Sequence, residues 1–275
     1  MSTLLSRVLI TLCLAVAGLL AWFYVQDRPP PAPPAVLEPA PPPPDFAPDI
    51  RYPVPEPVIS SAAVQAEPPA PLPALADSDV PVTDGLAGVI SAEEAARWLV
   101  PGNFVRQVVL AVDSLAGRPA LKPEARPVAP APGAFAAAGG AEGAGEDETW
   151  VLDPANYARY APLVRLLDAT DMRRVAAVYL RYYPLFQQAW EEIGSPDSYF
   201  NDRLVAVIDN LLAAPELDQP PVLVQPRVYF EYADPALEAR SSGQKLLVRM
   251  GPDNARVIKR KLRELRAAVI GQAAP

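Results

Sequence analysis

The chain has 275 residues, 51% of them hydrophobic, with 36 prolines, a single cysteine, no histidine and a formal net charge of −8. Without histidine, Ser-His-Asp and Cys-His catalysis are excluded and the commonest metal ligand is missing. One cysteine, Cys13, permits no intrachain disulfide, and the acidic balance argues against a general nucleic-acid binder.

The first seven residues form a short tail, and Val8 to Val25, VLITLCLAVAGLLAWFYV, is an apolar run without a charge. At 1.5 Å per residue a helix of that length spans roughly 27 Å, close to the hydrocarbon thickness of a bilayer. Trp22 and Tyr24 stand at its far end, where interfacial aromatics belong. Ala15-Val16-Ala17 resembles a signal-peptide cleavage site, but the apolar run continues eight residues beyond it, so an uncleaved signal anchor is the expectation. Arg7 on the short side places the tail in the cytoplasm and the remainder outside the inner membrane.

Half of the 36 prolines fall between Pro29 and Pro73, and such a composition builds no packed core. Residues 26–75 are therefore read as a disordered proline-rich linker. As polyproline II, about 45 residues would hold a following domain up to roughly 140 Å from the membrane.

Residues 76–271 are long enough for a domain with a real core. Ser91-Ala92-Glu93-Glu94 is a capping box that opens a short helix through Leu99, ended by Pro101-Gly102. Asn103–Leu115 is predicted as a helix with Phe104, Val108, Ala111, Val112 and Leu115 inward. Residues 118–148, rich in Pro, Ala and Gly, are expected to be a mobile loop. Thr149–Leu152 reads as a short strand, and Asp153-Pro154 as a helix start. The apolar positions Val175, Tyr179, Tyr182, Phe186, Ala189 and Ile193 follow steps of three and four, interrupted by Pro184, so a bend is expected near 180–184. Gly194 stops that helix, and a second carries Phe200, Leu204, Val207, Ile208 and Leu211 on one stripe. The two should bury their stripes against each other. Val222–Tyr232 alternates as a strand around Pro226, Pro235–Met250 is helical to Gly251-Pro252, and Asp253–Val269 is the last helix. The fold class predicted is mainly α, with a small β-hairpin.

Two stretches invite a functional reading. Tyr199-Phe200-Asn201-Asp202-Arg203 packs aromatic and polar groups into five residues, and Tyr199, Asn201, Asp202 and Arg203 form a candidate partner surface. The plainer alternative, which carries more weight, is a helix first turn with its Asp at the positive dipole end. On the last helix, Lys259, Arg260 and Lys261 form a basic patch suited to an acidic partner or anionic lipid, with a solvated face as the plainer alternative that carries more weight. Asp202 and Asp209, two turns apart on one face, are the only carboxylate pair with an inverting-glycosidase separation. Glu191 and Glu192 are adjacent and point apart, and Gly139–Gly145 lacks the Lys-Ser/Thr of a phosphate loop. No catalytic, cofactor or metal residue is assigned.

Five segments resemble a bacterial family catalogued only as domain of unknown function 3014. They are PANYARYAPLV (Pro154–Val164), YPLFQQAW (Tyr183–Trp190), YFNDRLVAVID (Tyr199–Asp209), FEYADPALEA (Phe230–Ala239) and GQKLLVRMGPDNA (Gly243–Ala255). The resemblance implies the same layout of membrane helix, proline-rich stretch and domain, and supplies no catalytic residue, cofactor or substrate. The function expected is a membrane-anchored envelope protein acting as a non-enzymatic interaction or scaffold module, facing the periplasm, with the bilayer and an unidentified envelope protein as partners and no nucleic acid. The alternative is a cell-wall polymer hydrolase or its regulator.

Overall fold

The computed structural model describes residues 50–54, 71–117, 121–139 and 149–271. The expected anchor and most of the expected linker lie outside these residues. Among the described residues no helix is long and apolar enough to cross a membrane.

Ten α-helices and four short strands make up the described chain. The helices are α1 (Asp79–Ile90), α2 (Ala92–Trp98), α3 (Phe104–Ala116), α4 (Ala155–Ala169), α5 (Met172–Arg181), α6 (Tyr183–Glu192), α7 (Phe200–Leu212), α8 (Pro235–Glu238), α9 (Ser242–Met250) and α10 (Pro252–Val269). The strands β1 (Ala137–Gly139), β2 (Thr149–Leu152), β3 (Val222–Val224) and β4 (Glu231–Tyr232) form one antiparallel sheet in sequential order.

The axis of the domain is α7. Its first residue, Phe200, stacks on Phe186 of α6 at 6.1 Å and meets Trp190 at 5.8 Å. These rings share a core cluster with Val82 of α1 and Phe104, Val105 and Val109 of α3. One turn on, Val205 packs with Ala176 of α5 and Val269 of α10. Val207 and Leu211 then meet Leu247 and Met250 of α9 and Ala255 of α10. So α7 is buried on several sides at once, and its main neighbours are α3 and α10. It touches α6 near its own start, which corrects the expectation that those two helices chiefly cover each other.

The expected bend is a true break. Tyr182 leaves helical geometry (φ −102°, ψ 10°), ends α5, and starts α6 with Pro184 in its first turn, where the missing N–H costs nothing. Gly194, at φ +109°, lies just beyond the end of α6.

The expected hairpin is larger than that, a four-stranded sheet. Val222–Tyr232 is also not one strand. Pro226 has no N–H for a ladder, and the Gln225 side-chain amide donates to the Val228 carbonyl at 3.1 Å, closing a turn between β3 and β4. Val228 and Tyr229 project at its tip with about four-fifths of their surface exposed (79% and 82%). The sheet buries Leu152, Leu223 and Tyr232 against Val248 of α9. Its first strand comes from the stretch read as a mobile loop. Asn156, buried at the start of α4, accepts from the Ala136 N–H at 3.0 Å and donates to the Ala136 carbonyl at 2.6 Å, setting the chain into β1. Val128 makes a further antiparallel bridge to Leu99.

Candidate functional site

The first turn of α7 presents Tyr199, Asn201 and Asp202 to a piece of the chain some 150 residues earlier. Asp202 accepts from two consecutive backbone N–H groups, Tyr52 at 2.7 Å on Oδ1 and Arg51 at 3.0 Å on Oδ2. Asn201 Nδ2 donates to the Tyr52 carbonyl at 2.9 Å. The Tyr199 hydroxyl accepts from the Val54 N–H at 3.0 Å. Pro53, between them, has no N–H to satisfy, and its ring favours an extended residue before it. The strap Ile50–Val54 is thus held through its own main chain by side chains of α7 and the residue preceding it.

Asn201 is wholly buried, and this sets its role apart from a surface contact. Its Oδ1 accepts from the Tyr179 hydroxyl at 3.0 Å, and its Nδ2 also reaches the Val269 carbonyl at 3.4 Å. Burial, with Tyr199 adding to it, pushes the Tyr179 phenol well above its ordinary range and keeps it a donor. Tyr183 is raised by burial first and by its bond to Tyr199 second. A rigid aromatic floor therefore stands under the clamp.

Tyr52 lies against the Ala176–Val205–Val269 cluster, and its ring faces the Arg266 guanidinium at 5.7 Å. Arg266 is itself fixed by Asp209, Nε to Oδ1 at 2.7 Å and Nη2 to Oδ2 at 3.1 Å, and that bond raises its pKa. Beside the strap opens a cleft of about 460 Å³. Arg51 and Tyr52 wall one side, and Asp197, Asp202, Arg203 and Asp209 the other.

The sequence candidates therefore separate. Tyr199, Asn201 and Asp202 converge on the strap. Arg203 leans away to Asp113 of α3 at 2.7 Å, tying two helices together. The basic patch does not present three free cations. Lys259 is buried (5% exposed) and donates to the Ala214 carbonyl at 2.7 Å and to Glu216 at 3.0 Å. Arg260 pairs with Asp168. Lys261 donates to the Thr170 carbonyl at 3.1 Å and to Glu264 at 3.0 Å. The bonds to Ala214, Glu216, Asp168 and Thr170 tie α10 to the segments beside it, so all three cations already have partners within the domain. Tyr52, Tyr179 and Arg266 were missed, because only tertiary contact brings them to the cluster.

The model of the family described as "protein of unknown function (DUF3014)" matches residues 104–266. The chain belongs to that family. Neither the curated proteins nor the solved structures contain a match. The DUF3014 match takes in the whole clamp, Tyr199 to Asp202 with Tyr179 and Arg266, while the strap precedes it.

Proposed function

We propose that this chain is a membrane-anchored envelope protein whose DUF3014 domain is a non-enzymatic interaction or scaffold module. The anchor is the apolar run Val8–Val25, with the tail in the cytoplasm and the domain in the periplasm. The observation that carries the module reading is the grip of Asp202 on the Arg51 and Tyr52 amides, a side-chain arrangement built to hold an extended backbone. It also shortens the tether. Only residues 26–49 separate the anchor from the strap, and as polyproline II they reach roughly 75 Å, not the roughly 140 Å that an unpinned linker allows.

The same bonds weigh against hydrolysis at Asp202 and Asp209. A glycosidase pair needs one carboxyl carrying a proton and another meeting water. Asp202 has an amide on each oxygen, and Asp209 has the Arg266 fork.

Alkaline phosphatase fused after Gly271 should be active in cells, and the full chain should stay with membranes through alkaline extraction. An inactive fusion, or a mature chain starting near residue eighteen and washing off, removes the anchored reading. Crosslinked pull-down of the exported domain should yield a stoichiometric partner. Cleavage of wall polymer that vanishes in Asp202→Asn would favour the hydrolase instead.

A further inference from the structure

The contacts on Ile50–Val54 combine side-chain bonds to its main chain with packing of Tyr52 and Val54 on the core, the pairing used by sites that read extended peptides. The domain uses the same carboxylate device elsewhere. Asp79 accepts from the Asn103 and Phe104 amides, both at 2.7 Å, and there it caps α3, whose first turn is buried in the core. At Asp202 the recipients belong to no helix or strand and adjoin the proline-rich linker at both ends. Arg51 and Pro53 are exposed, while Tyr52 and Val54 are only half-buried.

Each position of the strap meets a different requirement. The first must present an N–H, and its side chain lines a cleft that bears Asp197, Asp202 and Asp209 beside the single guanidinium of Arg203, a balance that favours a cation. The second needs an N–H and a carbonyl, and an aromatic ring to fill the place between Arg266 and the Val205–Val269 patch. The third is proline, where no acceptor is offered. The fourth is aliphatic, supplies an N–H to Tyr199 and adds to the α1–α3–α6 core. Main-chain bonds supply grip and alternate side chains supply choice, as in other sites that read extended peptides.

We infer that the clamp is a recognition site for an extended segment of another protein, in the order basic–aromatic–proline–aliphatic, and that the chain's own Arg51-Tyr52-Pro53-Val54 occupies it in the partner's absence. This rests on the module reading above and names the partner's chemistry. The strap is covalently tethered, so it competes at an effective concentration on the order of millimolar. A partner must exceed that, through tighter contacts or local concentration at the membrane.

The test uses the full chain in detergent with the clamp vacated by Tyr52→Ala, or by Gly/Ser replacement of residues 50–54 as a second variant. The probe is a fluorescent peptide of residues 48–56. Saturable binding is expected to the vacated chains, at least about tenfold weaker to the wild type. It should be lost when Asp202→Ala is added with the melting transition retained; Asp202→Asn serves if the Ala variant unfolds. Replacing Tyr by Ala in the peptide should also abolish binding. No saturation by roughly 1 mM peptide, or binding indifferent to Asp202, overturns the inference. A wild-type dimer that Tyr52→Ala dissolves would make a second copy the occupant, and also overturns it. Export and membrane retention are read separately and do not depend on Tyr52, so failure here leaves the anchored reading standing.

Discussion

Asn201 concentrates more of the clamp in one side chain than any neighbour does. Its amide spends both ends on groups from three other parts of the chain, the Tyr179 hydroxyl, the Tyr52 carbonyl and the Val269 carbonyl. Replacing it with Leu keeps the volume but strands a buried hydroxyl, and losses of this kind cost about 1–3 kcal/mol per group. Asn201→Leu should therefore lower stability by roughly 2–4 kcal/mol, read as a lower urea midpoint at unchanged slope. A loss below about 1 kcal/mol would mean that water replaces the amide. Glu238 gives a pH signature at the same scale. Burial works to raise its carboxyl, but the Lys245 ammonium and the Tyr232 N–H together outweigh it and hold the group below its ordinary value. A depressed carboxyl stabilises the fold above its unfolded pKa of about 4.3 and loses that contribution as pH falls through the folded value. The melting temperatures of wild type and Glu238→Gln should thus differ at pH 7 and converge as pH falls below the depressed folded value. A gap independent of pH would remove the charge argument.

At the scale of elements, the junction of α9 and α10 leaves no room for a side chain. Gly251 caps both, at φ +83°, and a Cβ there would stand 2.5 Å from the Tyr157 ring. Gly251→Ala combines overpacking with backbone strain, each worth about 1–3 kcal/mol. Adding Tyr157→Ala, which removes the ring from Cγ outward, should restore part of the loss, since it relieves the clash and not the torsion; strictly additive losses would refute the contact. This junction was legible, since Gly-Pro after an apolar helix is a recognised stop. So were the break before Pro184, the Ser91 cap and the stripe of α7, because each is a local rule. What was missed is non-local. The α1 sequence DVPVTDGLAGVI holds a proline and two glycines and is a poor helix by propensity. It forms because Val82 is buried in the core and Tyr182 and Arg174 bind its Pro81 and Gly88 carbonyls. The inward face of α3 is wider than expected: Phe104 is buried and Val108, Val112 and Leu115 pack against the core as read, but Val105 and Val109 are buried too, and in so apolar a run (FVRQVVLAV) spacing alone does not set the width of the face. The cluster at 199–203 stood out by composition, but a cluster does not announce its occupant. The strap lies 150 residues away from Asp202 along the chain, inside a stretch whose composition reads as linker.

Taken as a whole molecule, the domain holds a segment of its own N-terminal part, Ile50–Val54, against the first turn of α7. That hold has a direct readout in the peptide bond after Arg51. Trypsin needs an extended, released segment, so cleavage there tracks the fraction of time the clamp stands open. Asp202 contributes two bonds with a charged acceptor, each worth about 1.5–3 kcal/mol. Removing both should raise the open population by at least tenfold, even after water recovers most of that energy. Cleavage after Arg51 should therefore run at least about tenfold faster in Asp202→Ala than in wild type, while cleavage of an unstructured reporter peptide added to the same digest keeps its rate and serves as the reference. Asp209→Asn offers a graded control. It unfixes Arg266 from behind the Tyr52 ring without touching the strap's amides, so its acceleration should be smaller. Equal rates in all three proteins would mean that the linker is not held through Asp202, and the shortened tether would go with it. A selective acceleration at Arg51 would instead show that Asp202 holds the strap in place, and that a segment competing for the same four positions must first break those two bonds.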